Sequence, residues 1–262
     1  MDVQNVLFII AVKYNRNYIS YVKYYVDNIQ KFYPNGFCIL VDNNSKYISE
    51  LYNSLNQYKN LVMLINESPC KFEIGAYNYG ITYALEHNIL HNYEYIVCIQ
   101  DTFVLKNKYD FNNLKLNNIL ACVINDNSLV SHGKCEYYWC IETQNVIEKL
   151  NCNTDDDTKL ITPAIVEFCW CSSFILHKSK IDEYLNITSD IIITGRTESC
   201  KSERYLGAIM YKLNDYKNSS IEDSASCISL GYNCWTVNII NDNLTNYFVK
   251  SVQQKTERTP ED

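Results

Sequence analysis

From Val6 to Thr102, apolar runs alternate with stretches of helical period. The runs Val6–Val12 (VLFIIAV), Phe37–Val41 (FCILV), Leu61–Ile65 and Tyr95–Ile99 (YIVCI) are short, continuous and bounded by polar or turn residues, the pattern of strands buried on both faces. Between the first two, Ile19, Val22, Val26, Ile29 and Phe32 share one helical face, which predicts a helix over about 19–33 that Pro34-Asn35-Gly36 stops. Ile48, Leu51, Tyr52 and Leu55 predict a second helix over about 46–58, and Ile74, Tyr77, Ile81, Ala84 and Leu85 a third over about 73–88. Strands alternating with helices of this length imply parallel pairing with right-handed crossovers. The expected class is α/β, Rossmann-like, with a mostly parallel central sheet flanked by helices.

Past Asp101 the pattern weakens. Ile119–Ile124 reads as a strand, Tyr137–Lys149 as mixed strand and helix, and Asn151–Lys159 as a polar turn. Phe168–His177 reads as a short apolar strand region, and Ser202–Leu213 as a helix with Leu206, Ile209, Met210 and Leu213 inward. Ala225–Ile240 supplies one or two last strands, and 250–262 is charged and aperiodic, a frayed tail. Neither an internal repeat nor a linker divides the chain, so a single domain over 1–249 is expected.

Composition narrows the function classes. A formal charge of -7 gives no basic field to draw nucleic acid. The skew toward Asn, Tyr, Ile and Lys, with 7 Gly and 4 Pro, fits an AT-rich coding genome better than a chemical need. Of the 12 cysteines, Cys38 and Cys98 fall inside predicted buried strands, where a free thiol acts as a small hydrophobe. The first apolar run lacks the basic leader and cleavage site of a signal peptide, and no run approaches the roughly 18–20 apolar residues that span a bilayer. A cytoplasmic, reducing setting without a transmembrane segment is expected.

Polar residues gather where the predicted strands end: Lys13, Tyr14 and Asn15; Asp42, Asn43, Asn44 and Ser45; Gln100, Asp101 and Thr102. In open α/β sheets, ligands bind beyond the carboxyl ends of the strands. A carboxylate and amides suit a base edge or ribose, and Tyr14 can stack. Asp42, Asn44 and Ser45 equally suit an Asx-type turn. Gly75 and Ala76 open a helix, where backbone N–H groups can face a phosphate or the small residues can serve close packing. Glu73 suits the first turn of that helix electrostatically.

Three of these segments carry a resemblance. Val41-Asp42-Asn43-Asn44-Ser45 resembles the VDDGS or VDNGS segment of family-2-like nucleotide-sugar glycosyltransferases of the GT-A fold. Glu73-Ile74-Gly75-Ala76-Tyr77-Asn78-Tyr79-Gly80 resembles their Gly-x-x-x-Asn-x-Gly helix start, and the strand reaching Asp101 stands where they carry an Asp-x-Asp metal motif. Similar Asn- and Tyr-rich enzymes occur in large DNA viruses, which the chain resembles; the host cytoplasm would then be its setting. The resemblance implies a donor half over 1–105 and an acceptor half over 106–249. It implies that Lys13, Tyr14, Asn15, Asp42, Asn44, Gly75, Asn78 and Gln100 bind a nucleotide sugar such as a UDP sugar. Asp101, with a weaker contribution from His177, would hold Mn²⁺ or Mg²⁺, although Gln100-Asp101-Thr102 has one acid where the family commonly has two or three. Glu203-Arg204-Tyr205-Leu206-Gly207 resembles a Glu-x-x-Leu-Gly segment of related transferases, which implies that Glu203 is the base of an inverting, single-displacement transfer to a hydroxyl acceptor. Ser202 and Glu203 also read as an ordinary helix start, and Glu198 is the rival base.

Other features read as structural. Asp155-Asp156-Asp157 follows no apolar strand and suits a solvated loop. Trp170 suits either a sugar platform or the core. His87 and His91 sit near a predicted helix C-terminus, and Cys135/Cys140 and Cys169/Cys171 form no paired zinc motif. The competing functions are a nucleotidyltransferase, which should carry a Gly-rich basic loop where the chain has Lys13-Tyr14-Asn15-Arg16-Asn17, and a catalytically degenerate nucleotide-sugar-binding module.

Overall fold

The computed structural model describes residues 5–13, 19–114, 117–120, 122–123, 141–151, 161, 168–219 and 248–250. The predicted alternation is present: β1 (Val6–Val12), α1 (Ile19–Phe32), β2 (Phe37–Asp42), α2 (Ile48–Leu55), β3 (Leu61–Ile65), α3 (Phe72–Glu86) and β4 (Tyr95–Gln100). Then come β5 (Phe103–Leu105), β6 (Asn118–Ile119), β7 (Cys122–Val123), α4 (Ile141–Asn151), β8 (Phe168–Cys169), β9 (Phe174–His177), α5 (Ile181–Thr188), α6 (Arg196–Leu213) and β10 (Phe248–Lys250).

Among the described residues a six-stranded sheet runs in the order β3-β2-β1-β4-β9-β6. β1 to β4 pair in parallel, and β9 runs antiparallel to both β4 and β6. Alternate residues of β1 enter opposite layers. Leu7, Ile9 and Ala11 pack with Ile74, Tyr77 and Ile81 of α3 and with Leu206 and Ile209 of α6. Phe8, Ile10 and Val12 pack with Val22, Tyr25 and Val26 of α1 and with Leu51 and Leu55 of α2. Burial on both faces is why these strands read as unbroken apolar runs. Among the described residues no helix is long and apolar enough to cross a membrane.

Several sequence expectations change. Ile119–Ile124 is not one strand: β6 joins the main sheet while β7 pairs with β8, and Leu120 between them donates its N–H to Ser173 O. Phe168–His177 is broken by a 3₁₀ turn at Trp170–Ser172, where Cys171 and Ser172 adopt positive φ of 58° and 51°. α6 begins at Arg196 rather than Ser202, with Gly195 as its N-cap, so Ser202 and Glu203 lie inside the helix. Its first turns carry no apolar stripe because they lie at the polar edge of the sheet. Short β5 and β10 pair with each other and carry the fold to Lys250, one residue into the expected tail. Residues 251–262, Ala225–Ile240, Cys135/Cys140 and Asp155-Asp156-Asp157 lie outside the described residues.

Candidate functional site

The chain leaves β1 through α1 and α2 on one face of the sheet, reaches the outer strand β3, and returns through α3 on the other face to β4, beside β1. The strand order therefore reverses between β1 and β4, and open α/β sheets bind ligands beyond the carboxyl ends of the strands at such a point. Lys13 and Asp101 stand at these two strand ends. Asp101 N–H donates to Ala11 O at 3.0 Å, extending the β1–β4 ladder, and Lys13 N–H donates to Asp101 Oδ2 at 3.0 Å. Tyr14 and Asn15, next along the chain, lie outside the described residues.

On the other side of β1, Asp42 faces Val12 in register. Its carboxylate is almost wholly buried, 1% exposed, and accepts from Ser45 N–H at 2.6 Å and from Ser45 Oγ at 2.5 Å. The Asx-type turn is thus formed. Asn44, exposed, tops it with φ 60°, a left-handed conformation that Asn tolerates. Asn43 Nδ2 donates to Phe72 O at 3.1 Å, and its Oδ1 accepts from Asn66 Nδ2 at 2.9 Å. Buried Asn66 also donates to Cys70 O and accepts twice from Ser68, so the β3–α3 loop is held by side chains as a shelf beside the edge.

Gly75 and Asn78 have packing roles. A Cβ on Gly75 would lie 2.0 Å from Cys70 O, so only glycine lets that shelf fold over α3. Asn78 Oδ1 accepts from Thr188 Oγ1 at 3.2 Å, and its Nδ2 donates to Thr188 O at 3.4 Å, fastening α3 to α5.

Gln100 is tied to a residue that the sequence reading had treated as a helix start. Its Nε2 donates to Glu73 Oε1 at 2.7 Å, and Ser199 Oγ donates to Glu73 Oε2 at 2.8 Å. Glu73 thus joins the end of β4, the start of α3 and the first turns of α6. Its charge also adds to burial, the larger cause, in pushing the Tyr77 phenol well above its ordinary range. One turn past Ser199, Glu203 accepts from Cys171 N–H at 2.9 Å through Oε1, supporting the left-handed pair Cys171–Ser172. Because β9 starts at Phe174, opposite Cys98, this turn lies at the same carboxyl edge. The backbone of Trp170 belongs to it. Ser202, buried, bonds Ser199 O at 2.6 Å within the helix. Glu198 lies in the first turn of α6, favourable there for its charge.

His177 does not reach this edge. β9 runs antiparallel, so His177 pairs with Tyr95 at the start of β4, six residues and about 20 Å from Asp101. It faces Glu94 at 3.5 Å and contacts Ser179 instead. Among the described residues no group of three or more His, Cys, Asp or Glu forms a cation cage. Of the two acids flanking Gln100, Glu73 is shared by Gln100 and Ser199 and Asp101 takes the Lys13 amide. Among the described residues this donor set does not make up a protein-built metal centre.

The fold is a Rossmann-like α/β domain with polar residues at the strand ends that flank its topological switch point. No protein-family profile and no curated protein matches the chain. Among solved structures it is similar to the apo structure of the bifunctional glycosyltransferase WbbM, with a TM-score of 0.44 and 12% identity over 99% of this chain and 47% of that one. The chain thus spans about half the length of that protein.

Proposed function

We propose that the chain is a glycosyltransferase that moves a sugar from a nucleotide-sugar donor to a hydroxyl acceptor by single displacement. The observation that supports this reading is the Lys13–Asp101 contact at the switch point, which joins two of the strand ends carrying the polar residues, next to the end of β2 with its Val41–Ser45 segment. The nucleoside lies over the β1–β2 ends, near Asp42 and Asn44, with Tyr14 and Asn15, next in sequence after Lys13, as its further partners. The diphosphate and sugar extend toward Asp101, whose carboxylate accepts from donor hydroxyls. Repulsion between Asp101 and a diphosphate means that a cation, where one takes part, arrives with the donor's own phosphates.

Glu203 removes the proton of the acceptor hydroxyl as it attacks the anomeric carbon. The Cys171 N–H holds one of its oxygens and so fixes the orientation of the carboxylate. Glu73, through Gln100 and Ser199, keeps the donor edge and the helix of the base in fixed relation.

The test is a thermal-shift panel of nucleotide sugars and nucleoside diphosphates, each with and without Mn²⁺. A bound ligand raises the melting temperature as its concentration exceeds its Kd. Stabilisation by at least one nucleoside diphosphate sugar is expected, and no shift with any of them would sink the proposal. Stabilisation without turnover would instead favour the binding module, a reading supported by Gln100 standing where a second acid is expected.

A further inference from the structure

Among the described residues β3 is the outer strand of the main sheet, paired only with β2. Nothing blunts it. Leu61–Ile65 (LVMLI) contains no charge, proline or glycine, the usual devices that keep an edge from pairing with another chain. Ile65 is 50% exposed and Tyr52 of the neighbouring α2 is 55% exposed. A shallow groove of about 180 Å³ between Tyr52, Tyr58, Leu61 and Met63 borders the same strand.

The backbone direction can be read from the ladder. Cys38 N–H donates to Asn60 O at 2.9 Å, and Asn66 N–H donates to Asp42 O at 2.8 Å. Bonding residues alternate along a strand, so Asn60, Val62, Leu64 and Asn66 turn their N–H and C=O toward β2. Leu61, Met63 and Ile65 turn theirs outward.

The geometry points to a second copy of this chain on that edge, docked antiparallel about a two-fold axis through Met63. In this register Met63 faces Met63 and Leu61 faces Ile65 of the second copy. All of these are outward-turned residues, so each pair exchanges both of its backbone hydrogen bonds. Just beyond the strand ends, Lys59, in the turn that enters β3 of one copy, comes beside Glu67, which follows β3 of the other, and symmetry makes the pair twice. Both are exposed, and neither enters an ion pair among the described residues. Opposite charges at positions symmetric about Met63 make the edge complementary to itself, which singles out a second copy over an unrelated strand. The layers also match. Leu61 and Met63 belong to the α1–α2 layer and Val62 and Leu64 to the α3 layer, so both cores would continue across the axis. The ends of β1 and β4 lie away from this edge, with β2 between, so the inference stands apart from the proposed activity.

Sedimentation velocity of the full chain over about two decades of concentration tests it, with a reversible monomer–dimer equilibrium expected. Met63→Pro removes only an outward N–H, which an edge strand tolerates, and should leave circular dichroism unchanged while giving a monomer. Should that variant misfold, the charge series still decides. Lys59→Glu and Glu67→Lys each set like charges against one another and should weaken the dimer about tenfold, and the double variant should restore it. A chain that is monomeric throughout overturns the inference, and so does a dimer indifferent to Met63→Lys and to the charge swap. A monomer whose edge instead takes up a strand of another protein overturns it too.

Discussion

The backbone N–H of Lys13 donates to Asp101 Oδ2 at 3.0 Å, joining the two strand ends between which the sheet reverses its order. Because the donor is an amide, Lys13→Ala leaves the bond intact, whereas Asp101 cannot be truncated without losing it. Asp101→Asn keeps an acceptor and removes the charge. Its melting temperature should stay close to that of the wild type, while sugar transfer falls about 100-fold or more, the size typical of a lost electrostatic contact at a reacting centre. Steady-state kinetics on the donor found in the thermal-shift panel checks this. Unchanged turnover would remove Asp101 from the site.

Asp42 separates a structural from a ligand role. Both oxygens accept from Ser45 in a buried turn, so Asp42→Ala should cost about 2 kcal/mol in urea unfolding. Asp42→Asn retains one acceptor and should recover part of that stability. A nucleoside held by the carboxylate would still bind the Asn variant at least about tenfold more weakly. Equal nucleotide affinity in isothermal titration would leave Asp42 with the turn alone.

Glu203 allows the same separation at the acceptor side. Glu203→Gln keeps an oxygen for the Cys171 N–H and so preserves the left-handed turn at Cys171–Ser172. Its kcat should fall about 10²–10⁴-fold with the donor's thermal shift unchanged. Glu203→Ala should in addition lower the melting temperature, since the turn loses its support. A Gln variant with normal kcat would pass the base role to Glu198 or another residue.

Residues 1–105 are far more legible in the sequence than the rest. β1 and β3 match their apolar runs residue for residue, and α1 and α3 end within one or two residues of expectation, because both faces of the sheet are covered and the period is unambiguous. β5, β6 and β7, of two or three residues, are too short for any period. His177 falls at the far end of β4 because β9 is antiparallel, and a strand's direction leaves no trace in its own sequence. Glu73 was undervalued because its partners, Gln100 and Ser199, are 27 and 126 residues away. The polar residues at strand ends could be found by position, but their hydrogen-bond partners could not.

Gly75 and Gly80 make a graded packing prediction on one helix. At Gly75 an added methyl meets the Cys70 carbonyl at 2.0 Å, a backbone atom that cannot rotate away. At Gly80 it meets Ile9 Cγ2 at 2.7 Å and Val41 Cγ2 at 3.1 Å, side-chain atoms able to shift slightly. Gly75→Ala should therefore cost about 3 kcal/mol or more and Gly80→Ala about 1–2 kcal/mol, even after the helix propensity that alanine adds. Chemical denaturation midpoints rank them, and the reverse order would contradict the packing of the shelf on α3.

Tyr25 yields a pH prediction. Its ring lies edge-on to Phe8 at 6.2 Å between α1 and β1, and its buried hydroxyl has no hydrogen-bond partner among the described residues. Burial, then the neighbouring Cys38 and Tyr33, raises its phenol well above the ordinary 10.0. In the unfolded chain the phenol ionises near pH 10, while in the folded chain it keeps its proton. Above that pH the folded state holds more protons than the unfolded one, so the contribution is complete below about pH 10 and is lost as pH rises beyond it. Tyr25→Phe removes both the unsatisfied hydroxyl and the titration. It should gain up to about 1 kcal/mol at neutral pH and lose less stability than the wild type between about pH 10 and 11. Urea midpoints across that range decide: a Phe variant that is weaker at neutral pH and falls in parallel with the wild type at alkaline pH would mean that the hydroxyl is satisfied after all.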